Sequence, residues 1–153
     1  MIISFFGHRK LYSYSDLFKK VTEVILKNIN TCNEIKFYCG AYGDFDNLCA
    51  AVCRTIKATH KSELILITPY ITESQQRKIK HFINHNLYDS VIYPPLEKTP
   101  LKFAISKRNE WIVNESDLII AYVNHTYGGA YKSLLYAKRK KKNIINLGEI
   151  ELV

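Results

Sequence analysis

Short apolar runs, each closed by glycine, proline or a polar turn, alternate along this chain with longer stretches whose apolar residues recur every three or four positions. Residues 2–6, 34–39, 63–68, 90–93, 117–123 and 143–147 are the short runs, and each predicts a strand. Between them, Leu17, Phe18, Val21, Val24, Ile25 and Ile29 share one face of a helix over 15–29, opened by Ser13 or Ser15 as N-cap. Phe45, Leu48, Cys49, Val52, Cys53 and Ile56 do the same over 44–59. A more polar helix over 73–87 turns Ile79, Phe82 and Ile83 inward, and residues 101–115 and 129–141 complete the helical set.

Strict alternation of strand and helix predicts an α/β fold. The expected form is a single-domain Rossmann-like three-layer α/β/α arrangement over residues 1–153, with a mostly parallel sheet. The strands read as near-continuous apolar runs, as strands covered on both faces do. The irregular stretch 94–100 is placed as a loop bordering a site.

Three glycine-bearing loops follow predicted strands. They are Gly7-His8-Arg9, then Gly40-Ala41-Tyr42-Gly43-Asp44-Phe45-Asp46, then Gly128-Gly129-Ala130. In an open parallel sheet, loops at the carboxyl ends of the strands line one crevice, where ligands bind. Glycine lets backbone N–H groups approach a phosphate, and a helix starting there adds its positive end. A nucleotide or sugar phosphate is the ligand this pattern suits.

Length and charge sharpen the reading. The 153 residues carry 22 Lys and Arg against 14 Asp and Glu, a net charge of +8, which favours anionic partners. The run Lys138-Arg139-Lys140-Lys141-Lys142 is either a solvated helix end, where cations suit the dipole, or a nucleic-acid patch. No apolar run approaches the ~20 residues of a membrane span, and the N-terminal run lacks a signal peptide's basic start. Cys32, Cys39, Cys49 and Cys53 are expected as reduced, buried small hydrophobes, without a metal site. The expected setting is cytoplasmic, with no membrane partner and no cofactor.

Several residues support two readings each. Gly40 and Gly43 either permit a tight turn or shape a pocket. Asp44 is expected as the N-cap of the following helix and Asp46 in its first turn, and either could instead hold a ribose hydroxyl. Two carboxylates repel an anion, so the phosphate belongs at Gly128-Gly129 and the sugar near Asp44 and Asp46. Arg108 falls on the stripe Ala104, Arg108, Trp111, Ile112, where it forms an ion pair with Asp44 or Asp46 or holds a phosphate. His8 and Arg9 are ligand contacts or a cap and a solvated charge. Trp111 is placed in the core, and Tyr42 is the exposed stacking candidate.

Taken in order, Phe6-Gly7-His8-Arg9, the loop 40–46, Arg108-Asn109-Glu110-Trp111, Gly128-Gly129-Ala130 and the closing 143–147 resemble the YpsA-like branch of the SLOG superfamily over nearly the whole chain. The resemblance implies a modified Rossmann-like fold, a nucleotide-derived ligand and a homodimer. Its relatives include the LOG phosphoribohydrolases, which cleave nucleotides at the N-glycosidic bond, and the DNA-processing protein DprA. Arg108 and Gly128-Gly129 fall where LOG enzymes place an arginine and the paired glycines of their phosphate loop. Leu134 and Leu135 fall where those enzymes carry carboxylates, which argues against LOG-type hydrolysis. The remaining candidate acids are Asp44, Asp46, Glu97 and Glu110.

The expected function is therefore nucleotide binding in the three-loop crevice by a sensor or sequestering protein. The ligand set comprises Gly7, His8, Arg9, Gly40, Ala41, Tyr42, Gly43, Asp44, Asp46, Arg108, Gly128, Gly129 and Ala130. The alternatives are a phosphoribohydrolase-like hydrolase and a DprA-like single-stranded nucleic-acid binder, the latter resting on the net charge and the basic run.

Overall fold

The computed structural model describes residues 1–11, 13–29, 34–69 and 72–148. Cys32 lies outside them. Six strands and five helices alternate: β1 (Ile2–Gly7), α1 (Tyr14–Asn28), β2 (Ile35–Cys39), α2 (Asp44–Lys57), β3 (Ser62–Ile67), α3 (Glu73–Asn84), β4 (Ser90–Ile92), α4 (Ala104–Glu115), β5 (Leu118–Tyr122), α5 (Gly129–Arg139) and β6 (Asn143–Asn146). A 3₁₀ turn at Leu101–Phe103 leads into α4. The fold is α/β and Rossmann-like, and every strand pair is parallel, in the order β4-β3-β2-β1-β5-β6.

The pleat sorts side chains to two cores. On one face Ile3, Phe5, Phe37, Leu64, Leu66 and Ile120 pack under α1 and α2, whose Val21, Ile25, Leu48 and Val52 are fully buried. On the other, Phe6, Tyr38, Ile65, Ile67, Ile119 and Ala121 pack under α4 and α5, through Ile112, Val113, Leu134 and Ala137. These are the three expected layers. Trp111 joins the second core, stacked on Tyr38 with ring centroids 5.9 Å apart. Cys39, Cys49 and Cys53 are buried free thiols of the first.

Ser13 holds the expected N-cap position of α1, while other helix ends depart from the sequence reading. Ser13 caps α1 without a side-chain hydrogen bond, while Thr72 caps α3 by accepting from the Gln75 N–H at 3.2 Å. Helix α3 stops at Asn84, short of residue 87, and Asn86 beyond it takes a positive φ of 55°. Asp89 ties the edge strand β4 down: its carboxylate accepts from the Leu64 N–H at 2.7 Å and pairs with Lys57.

The chain runs outward from β1 through β2 and β3 to β4, then returns to place β5 on the other side of β1. This reversal is a topological switch point, and the crevice lies beyond the carboxyl ends of the strands there. No helix among the described residues is long and apolar enough to cross a membrane.

Candidate functional site

A cleft of about 670 Å³ opens at the switch point. Its walls are the loop after β1 (Gly7 to Lys10), Gly40, Tyr42 and Asp46 after β2, residues from Tyr122 to Ala130 after β5, and Ile105, Arg108, Asn109 and Ile112 of α4. All three glycine loops thus meet at one sheet edge.

The loops are laced together through the first. The His8 N–H donates to the Tyr122 carbonyl at 3.3 Å, and the Asn124 N–H donates to His8 Nε2 at 2.9 Å. On the other flank, the Asp44 N–H donates to the Arg9 carbonyl at 2.8 Å and the Leu11 N–H donates to the Asp44 carboxylate at 3.1 Å. From the far side, Asn146 brackets Val123, accepting from its N–H at 3.0 Å and donating to its carbonyl at 3.1 Å. That bracket fixes where the loop after β5 begins.

Two helices enter the cleft in the same way. Gly43 caps α2 at φ 96°, ψ −178°, and Gly128 caps α5 at φ 91°, ψ 174°. Only glycine adopts this conformation readily. Gly43 also lies against Arg9, whose Cα would stand 2.7 Å from an added Cβ. Gly129, the first residue of α5, faces open space, with nothing within 4 Å of an added Cβ.

Of the expected site residues, Gly7, His8, Arg9, Gly40, Tyr42, Asp46, Arg108, Gly128, Gly129 and Ala130 line the cleft. Ala41, Gly43 and Asp44 do not. Asp44 is the first residue of α2, not its N-cap, and its carboxylate bridges loops instead of capping. Ala41 occupies the left-handed region at φ 57°. Tyr42, expected to be exposed, is half-buried, with the Arg108 guanidinium 5.1 Å over its ring. Residues 94–100 stay off the cleft, whose wall on that side is the helix that follows them.

Arg108 is 3% exposed and acts first as a clamp. Its Nη1 donates to the Gly40 carbonyl at 3.1 Å and the Ile67 carbonyl at 3.2 Å, binding the ends of β2 and β3 to α4. Its Nε donates to Asn109 at 3.1 Å. The helical stripe makes this reach possible, since Arg108 sits one turn from Ala104 and Ile112, both buried.

Asp46 is the sole carboxylate on the cleft wall among the described residues. It accepts from the Tyr42 N–H at 2.8 Å, and burial lifts its pKa to about 6 against the pull of that bond and of Arg108. Of the other candidate acids, Glu110 pairs with Lys107 at 3.1 Å. Leu134 is wholly buried under the sheet and Leu135 is not on the wall.

Sequence reasoning missed the loop 124–127. His125 stacks on His8 with ring centroids 3.5 Å apart, and Tyr127 stacks on His125 at 3.8 Å. Because His8 Nε2 accepts an N–H, the neutral ring carries its proton on Nδ1. Burial and the neighbouring His125 push the His8 pKa below its ordinary 6.5. The available signal was two aromatic side chains in a polar loop just after a buried strand and just before Gly128-Gly129.

The fold is similar to that of two DNA-processing proteins. DNA processing protein A (DprA) from Streptococcus pneumoniae superposes with a TM-score of 0.64 at 16% identity, over 94% of this chain and 49% of its own. DprA from Helicobacter pylori, described for its single-stranded DNA binding mode, superposes with a TM-score of 0.64 at 17% identity, over 95% of this chain and 64% of its own. This chain spans less than two thirds of either. No protein-family model and no curated protein matches it.

Proposed function

We propose that this chain binds single-stranded nucleic acid, seating one nucleotide of the strand in the cleft at the switch point. The observation that carries the reading is the composition of that cleft. Exposed Arg9 and Lys10, the open α5 N-terminus at Gly129 and the exposed ring of Tyr127 all border it. Cations and helix ends suit the phosphate, and rings suit the base. The net charge of +8 and the likeness in fold to the Helicobacter pylori protein support the same reading. Buried free thiols at Cys39, Cys49 and Cys53 suit a reducing, cytoplasmic setting.

A second reading keeps the same cleft for a free nucleotide, in a sensor of the YpsA-like kind. The cleft volume favours it, since about 670 Å³ falls in the range of small-ligand sites. Fluorescence anisotropy with a labelled 20-mer of deoxythymidine separates the two. A strand that neutralises four phosphates loses about 50-fold in affinity between 50 and 200 mM salt. Binding of that kind, uncompeted by mononucleotides, supports the strand reading. Weak, salt-independent association, with tight binding of a mononucleotide in calorimetry, overturns it in favour of the second.

A further inference from the structure

His8, His125 and Tyr127 form a ladder of rings along one wall of the cleft. Successive centroids are 3.5 and 3.8 Å apart, and successive planes are tilted by 14° and 20°. This is close to the ~3.4 Å rise between stacked bases in a nucleic-acid strand. The inner end of the ladder is fixed, because His8 is hydrogen-bonded to the loop after β5 and meets the edge of Tyr122. The middle ring is held by its faces: His125 Nδ1 is buried and has no hydrogen-bond partner among the described residues. The outer ring, Tyr127, is 69% exposed. A large aromatic side chain is left in water at the end of an ordered stack, one residue before Gly128.

We infer that the Tyr127 ring is a stacking platform for a nucleobase, which continues the His8–His125–Tyr127 ladder by one step. The inference rests on the proposed nucleotide-unit reading of the cleft and names the part of the nucleotide that the wall takes. The base can arrive as part of a strand or as a free nucleotide, and the ladder's chemistry is the same for both. Stacking reads a π-face and not an edge, so the platform accepts any base and favours the larger purine face.

The experiment compares a nine-residue deoxyadenosine oligonucleotide with an abasic strand of the same length and phosphate count. A third arm uses 2-aminopurine riboside monophosphate, whose fluorescence is quenched on stacking. Wild type, Tyr127→Ala and Tyr127→Phe are measured in each arm. Tyr127 is exposed, so both variants fold, and circular dichroism confirms it. The expected result is that the base-bearing strand binds about tenfold tighter than the abasic one. Tyr127→Ala removes that difference and Tyr127→Phe keeps it. Equal binding of the two strands overturns the platform while leaving strand binding intact. Binding of the mononucleotide alone, quenched in wild type and in Tyr127→Phe but not in Tyr127→Ala, supports the platform and overturns the strand reading. If none of the three probes binds, both are overturned.

Discussion

Arg108 shows how one buried cation organises the cleft through main-chain carbonyls. Two main-chain carbonyls at the ends of β2 and β3 receive its Nη1. Arg108→Ala strips both acceptors and leaves a void beside Tyr42. The expected loss is about 3 kcal/mol, from two buried carbonyls and lost packing, read as a shifted urea midpoint. A variant of unchanged stability with weakened ligand binding would return Arg108 to the phosphate role. Asp46 is the second residue whose behaviour can be forecast. Its folded-state pKa of about 6 lies above the usual 3.8, so between those values the folded protein holds a proton that the unfolded chain has released. Stability contributed by this group therefore falls as pH rises through that window. Asp46→Asn cannot ionise and still accepts from the Tyr42 N–H. Its stability relative to wild type is expected to grow from pH 4 to pH 8, towards a limit of about 3 kcal/mol. Denaturation midpoints at pH 4, 6 and 8 check this, and a difference independent of pH contradicts it.

At the scale of elements, the same strand–glycine–helix entry occurs twice, at Gly43 into α2 and at Gly128 into α5. Both place a helix N-terminus at the sheet edge beside β1. Adjacent glycines at the second entry have separable duties. Gly128 at φ 91° holds the turn, and Gly128→Ala is expected to cost about 1–3 kcal/mol of stability. Gly129 has ordinary backbone angles and open space before it, so Gly129→Val is expected to keep the thermal midpoint within a few degrees while abolishing binding. Thermal melts alongside anisotropy titrations of the two variants distinguish the duties. If Gly129→Val binds normally, the α5 N-terminus does not face the ligand.

For the whole molecule, charge is distributed about both ends of α5. Its N-terminus opens on the cleft, and the basic run begins at its C-terminus, ~15 Å away at ~1.5 Å per residue. Part of that run is structural. Lys142 donates to the Asn114 and Ser116 carbonyls at 3.0 and 3.1 Å, closing the end of α4, and Arg139 and Lys140 lie over the Tyr136 ring. Arg9 and Lys10, in contrast, are exposed at the cleft. Replacing both with alanine is expected to flatten the salt slope of strand binding by about 1.4, or ~0.7 for each lost phosphate contact. Lys140→Ala is expected to leave the slope unchanged. Anisotropy titrations over a salt series decide it, and the reverse ranking moves the interface to the far end of α5.

The sequence alone determined the parallel α/β sheet and the edge at which the loops meet. Continuous apolar runs in buried strands and the 3.6-residue period in helices are local signals, and strand–helix alternation forces right-handed crossovers that put every strand's carboxyl end on one side. It also determined that Gly128-Gly129 opens a helix after a strand, because the pair separates a buried apolar run from a helical one. The tertiary structure decided which side chains meet. Arg108 found the carbonyls of Gly40 and Ile67, 68 and 41 residues away, a pairing that no spacing encodes. Asp44 was drawn to Leu11, and Tyr42 was covered by Arg108, because loops from three strands converge at one sheet edge. The His8–His125–Tyr127 ladder has the same origin. Its rings come from loops 116 residues apart along the chain, joined by the bond from Asn124 to His8, and they stack only because β1 and β5 are neighbours in the sheet.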